Sequence, residues 1–236
     1  MRAKPKNNHA RIPTLDPGLI RGLAKHVEEA LREAIIAGRF QPGEKLNERQ
    51  LASELGVSTT PIKEALQRLQ VDGLVRIEPR RGIYAKFDAK QAGEMSLARA
   101  ALEGMIARQA ATNATGKDIE ALEQAVGRMR EATKKGNVAK LIALNKEFHG
   151  LIQRASGCTY LVTLQEGLHI YERLARVALL GSAAERECVL REHKAIAVAI
   201  GQRDAEQAER RMRDHVIRSG RQHIRLAFGE NGESKT

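Results

Sequence analysis

The sequence predicts a mainly α protein in two parts. An N-terminal winged helix-turn-helix with a small β-hairpin wing precedes a C-terminal antiparallel bundle of about six helices. Three observations predict it. Apolar residues recur at three- and four-residue spacing between positions 27 and 69, with brief glycine-marked breaks. The period then drops to two across "LVRIE" and "IYAKF". From residue 89 the helical spacing returns, punctuated only by Gly and Asn. With 42% hydrophobic residues, 3% aromatics and no Trp, the cores must be built from Leu, Ile, Val and Ala, which suits packed helices.

The first part lays out three helices. Val27, Leu31, Ala34 and Ile35 share one helical face, and the pattern runs into Gly38, a stop signal after a last turn. "FQPGEKL" is a turn-rich connection. Asn47 is placed to cap a second helix over roughly 47–55, with Gln50 three residues on as an imperfect capping box. That helix is expected to bury Leu51 and Leu55 and to end at Gly56. Ser58 is placed to cap a third, whose Ile62, Leu66 and Leu69 lie on one face and which stops near Gly73. Two helices joined by so short a turn form a helix-turn-helix. The two alternating segments flank "PRRG", where Gly82 permits a tight turn, and together they make the wing.

Ser58, Thr59, Thr60 and Pro61 crowd the first turn of the third helix, the turn that meets DNA in such folds. Free backbone N–H groups there favour phosphate, and short hydroxyls reach a phosphate oxygen or a base edge at little entropic cost. Pro61 loses no intrahelical hydrogen bond in that turn. Lys63 and Arg68 add charge on the polar face, Arg49 projects from the preceding helix, and Arg80 and Arg81 flank Gly82. The plainer alternative is that Ser58 is only a cap and the arginines only solvated surface.

"LREAIIAGRFQPGEKLNERQLASELGVSTTPIKEALQRLQVDGLVRIEPRRGIYAKF" closely resembles the winged helix-turn-helix of the GntR family of bacterial transcription regulators, over about residues 20–88. The resemblance implies a dimer on a two-fold-symmetric DNA operator, with the recognition helix in the major groove and the wing-tip glycine near the minor groove. It implies DNA-binding roles for Arg49, Ser58, Thr59, Thr60, Lys63, Arg68, Arg81 and Gly82. Thr59 and Lys63 stand where the family usually has arginines. Neither grips guanine with two parallel donors, so a different operator is expected.

In the second part, helices are expected near 91–113, 117–135, 137–155, 159–180, 183–201 and 204–227. Three histidines stand beside apolar stripes: His149 in "LNKEFHGLI", one turn after Asn145; His193 in "REHKAIAVAI"; and His215 in "RMRDHVIRS". Each alone reads as a satisfied core residue; three from separate helices also suit a divalent metal ion, zinc or nickel. This half resembles the FCD effector domain of the FadR-type branch of the GntR family. In its metal-binding members an Asp or Asn precedes a His-after-Phe by four residues and joins two later histidines. Carried onto this chain, the set is Asn145, His149, His193 and His215. The same domain opens on Arg-x-x-Leu-Glu, matched by Arg99, Leu102 and Glu103, and Arg99 is a candidate to hold an effector carboxylate. An Arg–Glu bridge is the alternative for Arg99. Members without the full set bind acyl-CoA, which leaves a metal-free regulator open. His169, Tyr171 and Arg173 are further candidates for the cavity, while His9, His26 and His223 read as surface residues.

Composition narrows the classes. No apolar run approaches the ~18 residues of a membrane span, and "MRAKPKNNHA" lacks a secretory hydrophobic segment, so a cytoplasmic protein without membrane contact is expected. Cys158 and Cys188 lack metal or redox spacing and read as packing residues. The net charge of +11 is divided between the halves: residues 1–88 hold 16 Lys/Arg against 11 Asp/Glu, and residues 89–236 hold 24 against 18. Residues 1–27 carry 6 basic side chains and 1 acidic one, so residues 1–19 read as a basic flexible arm and 230–236 as a disordered tail. These features favour a regulator, not an enzyme, whose operator affinity answers to a small carboxylate effector. A metal-dependent hydrolase is the competing class. Against it, Glu147, the only acid in the motif segment, lies on a different helical face from His149.

Overall fold

The computed structural model describes residues 17–166, 168 and 180–229. Helix α1 runs over Pro17–Ile36 and is followed by strand β1, Lys45–Leu46. Helices α2, Glu48–Leu55, and α3, Thr59–Val71, come next, then strands β2, Val75–Glu78, and β3, Gly82–Ala85. The bundle comprises α4, Ala89–Asn113; α5, Gly116–Lys134; α6, Val138–Ser156; and α7, Thr159–Glu166. It is completed by α8, Ala183–Gly201, and α9, Ala205–Phe228. Helix α1 thus opens three residues inside the segment expected to be an arm. The rest of that arm, His9, the 230–236 tail, the later part of the 159–180 helix, and His169, Tyr171 and Arg173 lie outside the described residues.

Local chemistry accounts for the boundaries. Gly38 takes φ 77° past α1, where its N–H bonds the Ile35 carbonyl at 3.0 Å. Asn47 caps α2, its Oδ1 accepting the backbone N–H groups of Arg49 and Gln50 at 3.0 and 3.2 Å. Beyond these two bonds no capping box is formed at α2, and Gln50 Nε2 donates to Glu54 at 3.1 Å. Leu55, expected inside, is 38% exposed although it shares the face of Leu51 and Ala52, because it is the last residue of α2 and the chain turns away at the Gly56 cap directly after it. Ser58 occupies the N-cap position of α3 in extended backbone, yet its hydroxyl makes no capping bond.

The expected hairpin is a three-stranded antiparallel sheet in the order β1-β3-β2. Lys45 faces Tyr84 and Leu46 faces Ile83, a pairing too short for alternation to announce. At the wing turn Arg80 adopts φ 65°, and Gly82 (φ 132°) admits the Lys45 side chain: a Cβ there would stand 2.6 Å from Lys45 Cε.

Two cores result. Ile62, Leu66, Leu69, Leu74 and Phe87 anchor the head; burying each such side chain contributes about 1.5–3 kcal/mol. Ile106, Leu122, Phe148, Ile152, Ile196 and Ile200 anchor the bundle. Helices α4 and α9 serve both. Ala92 and Met95 of α4, and Ile224 and Phe228 of α9, pack into the head core, with the rings of Phe87 and Phe228 5.8 Å apart. Farther along, Ala100 to Ala111 of α4 and Ala208 to Val216 of α9 pack into the bundle core.

Candidate functional site

Inside the bundle three helices converge. Helix α6 stacks Asn145 and His149 one turn apart, α8 supplies His193 and α9 supplies His215, and all four residues are buried. One ring nitrogen from each histidine lies within 4.8 Å of the others. Phe148, fully buried beside His149 in sequence, stacks on the His193 ring with centroids 4.5 Å apart and gives the site an apolar floor.

Two carboxylates orient the rings. Glu103 of α4 places Oε2 3.2 Å from His149 Nδ1, and Glu192 of α8 places Oε2 2.7 Å from His215 Nδ1. An imidazole that donates through Nδ1 presents the Nε2 lone pair on its other edge. Both carboxylates are anchored in turn. Arg99 donates to Glu103 Oε1 from Nε at 3.1 Å and Nη2 at 2.7 Å, while Arg218 bridges Glu192 and Glu185. Burial alone would raise both acids, but the charge of Arg99 with the nearby His149 ring, and the bonds from His215 and Arg218, outweigh it and hold them below the usual carboxylate range. Burial pushes His215 below the ordinary histidine value against the opposing bond from Glu192.

This donor set fits a divalent transition metal: three neutral-capable imidazoles, two with a carboxylate on the distal nitrogen, and a neutral amide oxygen on the Asn145 turn. Between His193, Asn145, Thr133 and Arg186 lies a cavity of about 10 Å³, room for one water-sized group.

The structure redistributes several other candidates. Arg99 is buried, and two of its donors go to Glu103, so the Arg–Glu bridge is the arrangement present. Glu147 faces away from the cluster and pairs with Arg128 at 2.7 Å. His26 is exposed, whereas His223 is 3% exposed rather than at the surface, because the apolar face of α9 continues past His215 to meet the head. Cys158 and Cys188 are free, half-buried thiols, and Cys188 Sγ stands 3.8 Å from Glu192. Glu192 was not singled out by sequence, and Glu103 only as part of a motif. A signal existed for Glu103, which falls on the Ala92, Ser96, Ala100, Ala107 stripe of α4.

In the head, Ser58 and Thr60 are exposed and Thr59 half-buried at the start of α3. Exposed Arg49 opens α2, and Lys63 stands 3.8 Å from Glu48. Arg81 is 80% exposed on the wing turn beside Gly82. Arg68 is set apart: it lies in the last turn of α3 and pairs with Glu28 of α1 at 3.2 Å.

A helix-turn-helix head, joined through shared helices to a histidine-lined bundle, defines the class of DNA-binding transcription regulators. Comparison with known proteins agrees. The model of the bacterial regulatory proteins of the gntR family matches residues 23–85, and the FCD domain model matches residues 94–218. The HTH-type transcriptional regulator YdhC of Bacillus subtilis is 29% identical over 206 residues, covering 86% of this chain and 92% of that protein. The HTH-type transcriptional repressor RspR of Escherichia coli is 29% identical over 193 residues, covering 81% and 85%. The solved structure of E. coli McbR/YncC superposes with a TM-score of 0.59 at 25% identity, covering 87% of this chain and 97% of that one. The chain belongs to the GntR family of transcription regulators, with an FCD domain as its second part. No helix among the described residues is long and apolar enough to cross a membrane.

Proposed function

We propose that this regulator binds a two-fold operator as a homodimer and that a small organic acid, held beside a divalent metal ion in the bundle, sets its affinity for DNA. In this reading residues 20–88 read DNA and residues 89–229 sense the effector. His149, His193 and His215 hold the ion, zinc or nickel, with Asn145 as the oxygen donor beside them. The observation that carries the reading is the pair of carboxylates, Glu103 and Glu192, each placed on the Nδ1 edge of a clustered imidazole. Bound there, the ion supplies a Lewis-acidic anchor for a carboxylate.

Because the cavity beside His193 has only water-sized room, an organic acid enters by displacing its wall, where Arg186 binds the carbonyls of Leu180 and Gly181 at 2.9 Å. A coupling of about 1–3 kcal/mol between the two halves is the ordinary scale for such control. Both acids nearest the cluster are committed to imidazole and guanidinium partners, an arrangement that orients ligands rather than abstracts protons, so the regulator is favoured over a hydrolase.

On the DNA side, Ser58, Thr59 and Thr60 with the N–H groups of the α3 start approach phosphate and base edges, Arg49 and Lys63 neutralise phosphate, and Arg81 follows Gly82 toward the minor groove. Native mass spectrometry of the purified chain tests the reading in one measurement. A dimer carrying one metal ion per chain is expected; a metal-free dimer with no affinity for added zinc rejects the sensing half.

A further inference from the structure

We infer that the groove between α8 and α9 is a second ligand site, separate from the histidine cluster, and that it takes a phosphorylated small molecule. Arg191, Lys194, Ala195 and Val198 recur at three- and four-residue spacing and so share one stripe of α8. Gln207 and Arg211, one turn apart on α9, form the opposite wall of a solvent-open cavity of about 480 Å³. That volume falls within the roughly 300–1,000 Å³ of small-molecule sites.

The charge of the groove has one sign. Three cations line it and no acidic side chain does. Among the described residues, Arg191, Lys194 and Arg211 have no anionic partner. Acids close by in sequence are engaged elsewhere: Glu192 with His215 and Arg218, Asp204 with the Gln207 backbone N–H at 3.0 Å, and Glu209 with Arg108 at 3.1 Å. Cations gathered in a cleft with low-dielectric walls focus a positive potential there, and an occupant with at least two negative charges balances it. Phosphoryl oxygens suit the set, since guanidinium forks give them paired donors and an ammonium adds a point charge. A lone carboxylate would satisfy one fork and leave the other cations unmatched.

The rest of the lining suits an organic body better than a bare ion. Ala195 and exposed Val198 supply an apolar wall. Gln207 Oε1 already accepts Arg210 Nη2 at 2.8 Å, which leaves its Nε2 as a donor for a neutral oxygen. Neither surface described above accounts for the groove. His193 is fully buried on the inner side of α8, whereas Arg191 and Lys194 are exposed on the outer side. Arg211 precedes Ile224, the α9 residue packed into the head core, by about 20 Å of helix. Residues 202–204 fold α9 back along α8, so the groove sits at the end of the bundle away from the head, and operator phosphates are not its occupants.

Isothermal titration calorimetry on the full chain at fixed ionic strength, with inorganic pyrophosphate as the probe, tests it. One saturable site per chain is expected. Arg191→Gln and Arg211→Gln should each weaken it at least tenfold, while Arg154→Gln, which removes the same charge from an exposed position on α6, should stay within about twofold. Phenyl phosphate, with a carbon body for Val198, should bind more tightly than inorganic phosphate, and the reverse order overturns an organic ligand. Absence of saturable binding, or a loss in Arg154→Gln as large as in the groove variants, overturns the site. Full affinity in both groove variants places the anion elsewhere, the histidine cluster included, and overturns it too. A random-sequence duplex that displaces the pyrophosphate assigns the groove to a nucleic-acid backbone and overturns the small molecule. If either arginine variant fails to fold, Lys194→Gln reads the same groove, and undiminished affinity there rejects the inference.

Discussion

Glu103 Oε2 stands 3.2 Å from Nδ1 of His149 while its other oxygen accepts two N–H bonds from Arg99, so one buried carboxylate joins the imidazole cluster to a cation on the neighbouring turn. His215 has the equivalent partner in Glu192 at 2.7 Å, backed by Arg218. Such partners fix ring orientation and raise ligand basicity.

Removing them should therefore weaken the metal site without removing a ligand. Glu192→Gln is expected to lower zinc affinity about 10–100-fold, measured by competition with a chromophoric chelator. A His149→Ala, His193→Ala double variant should lose the ion altogether by elemental analysis. Full metal content in the double variant would remove the proposed site.

Acid should destabilise the metal-free chain before the carboxylate range is reached. His215 and His223 both sit below their ordinary value of about 6.5, each chiefly because burial disfavours the charged ring. Below about pH 6.5 the unfolded chain therefore binds protons that the folded chain refuses. Their contribution is complete above that pH and is lost as pH falls toward the depressed folded values. Glu103 and Glu192, also depressed, act in the same direction but only at lower pH. Urea midpoints at pH 7.5 and 5.5 check the sign: the midpoint should be lower at 5.5, and His223→Met should narrow the difference.

Ser58 and Asn47 should separate stability from DNA binding. The Asn47 side chain caps α2 with two backbone bonds, so Asn47→Ala should cost about 1 kcal/mol in chemical denaturation. Ser58 makes no such bond, and Ser58→Ala should stay within about 0.5 kcal/mol of wild type while weakening operator binding. A Ser58→Ala loss as large as that of Asn47→Ala would return this hydroxyl to a capping role.

Operator binding should weaken steeply with salt, because phosphate contacts release counterions. Lys63→Ala should reduce the slope of log K against log salt by about 1. Arg68→Ala should leave the slope nearly unchanged, since Arg68 is held against Glu28 at the far end of α3. Fluorescence anisotropy at several salt concentrations, on an operator recovered by selection from random duplexes, distinguishes the two.

Much of this architecture was legible wherever the signal is local. Asn47, Gly38 and Gly56 mark helix ends through their own backbone or side-chain chemistry, and the apolar spacing located five bundle helices to within two or three residues at each end. What sequence misjudged depends on partners distant in the chain. β1 exists because β3 pairs with it, and Ser58 is uncapped in spite of its position. His223 looked like a surface residue in a polar stretch, although it lies eight residues after His215 and so falls on the same face of α9. Convergence of the three histidines needed the packing of α6, α8 and α9, which spacing within any one helix does not encode. The orienting role of Glu192 likewise appears only once α8 meets α9.

Helix α9 presents His215 to one core and Ile224 with Phe228 to the other without interruption. The reader is consequently no cassette that ends where its last strand does. A fragment cut at residue 88 would bare the Phe87 ring to water and forfeit a wall of its own interior, inviting self-association. Anyone transplanting this sensor onto a foreign reader, or the reverse, inherits a composite seam, and the graft must carry the closing turns of the C-terminal helix along with the N-terminal module they complete.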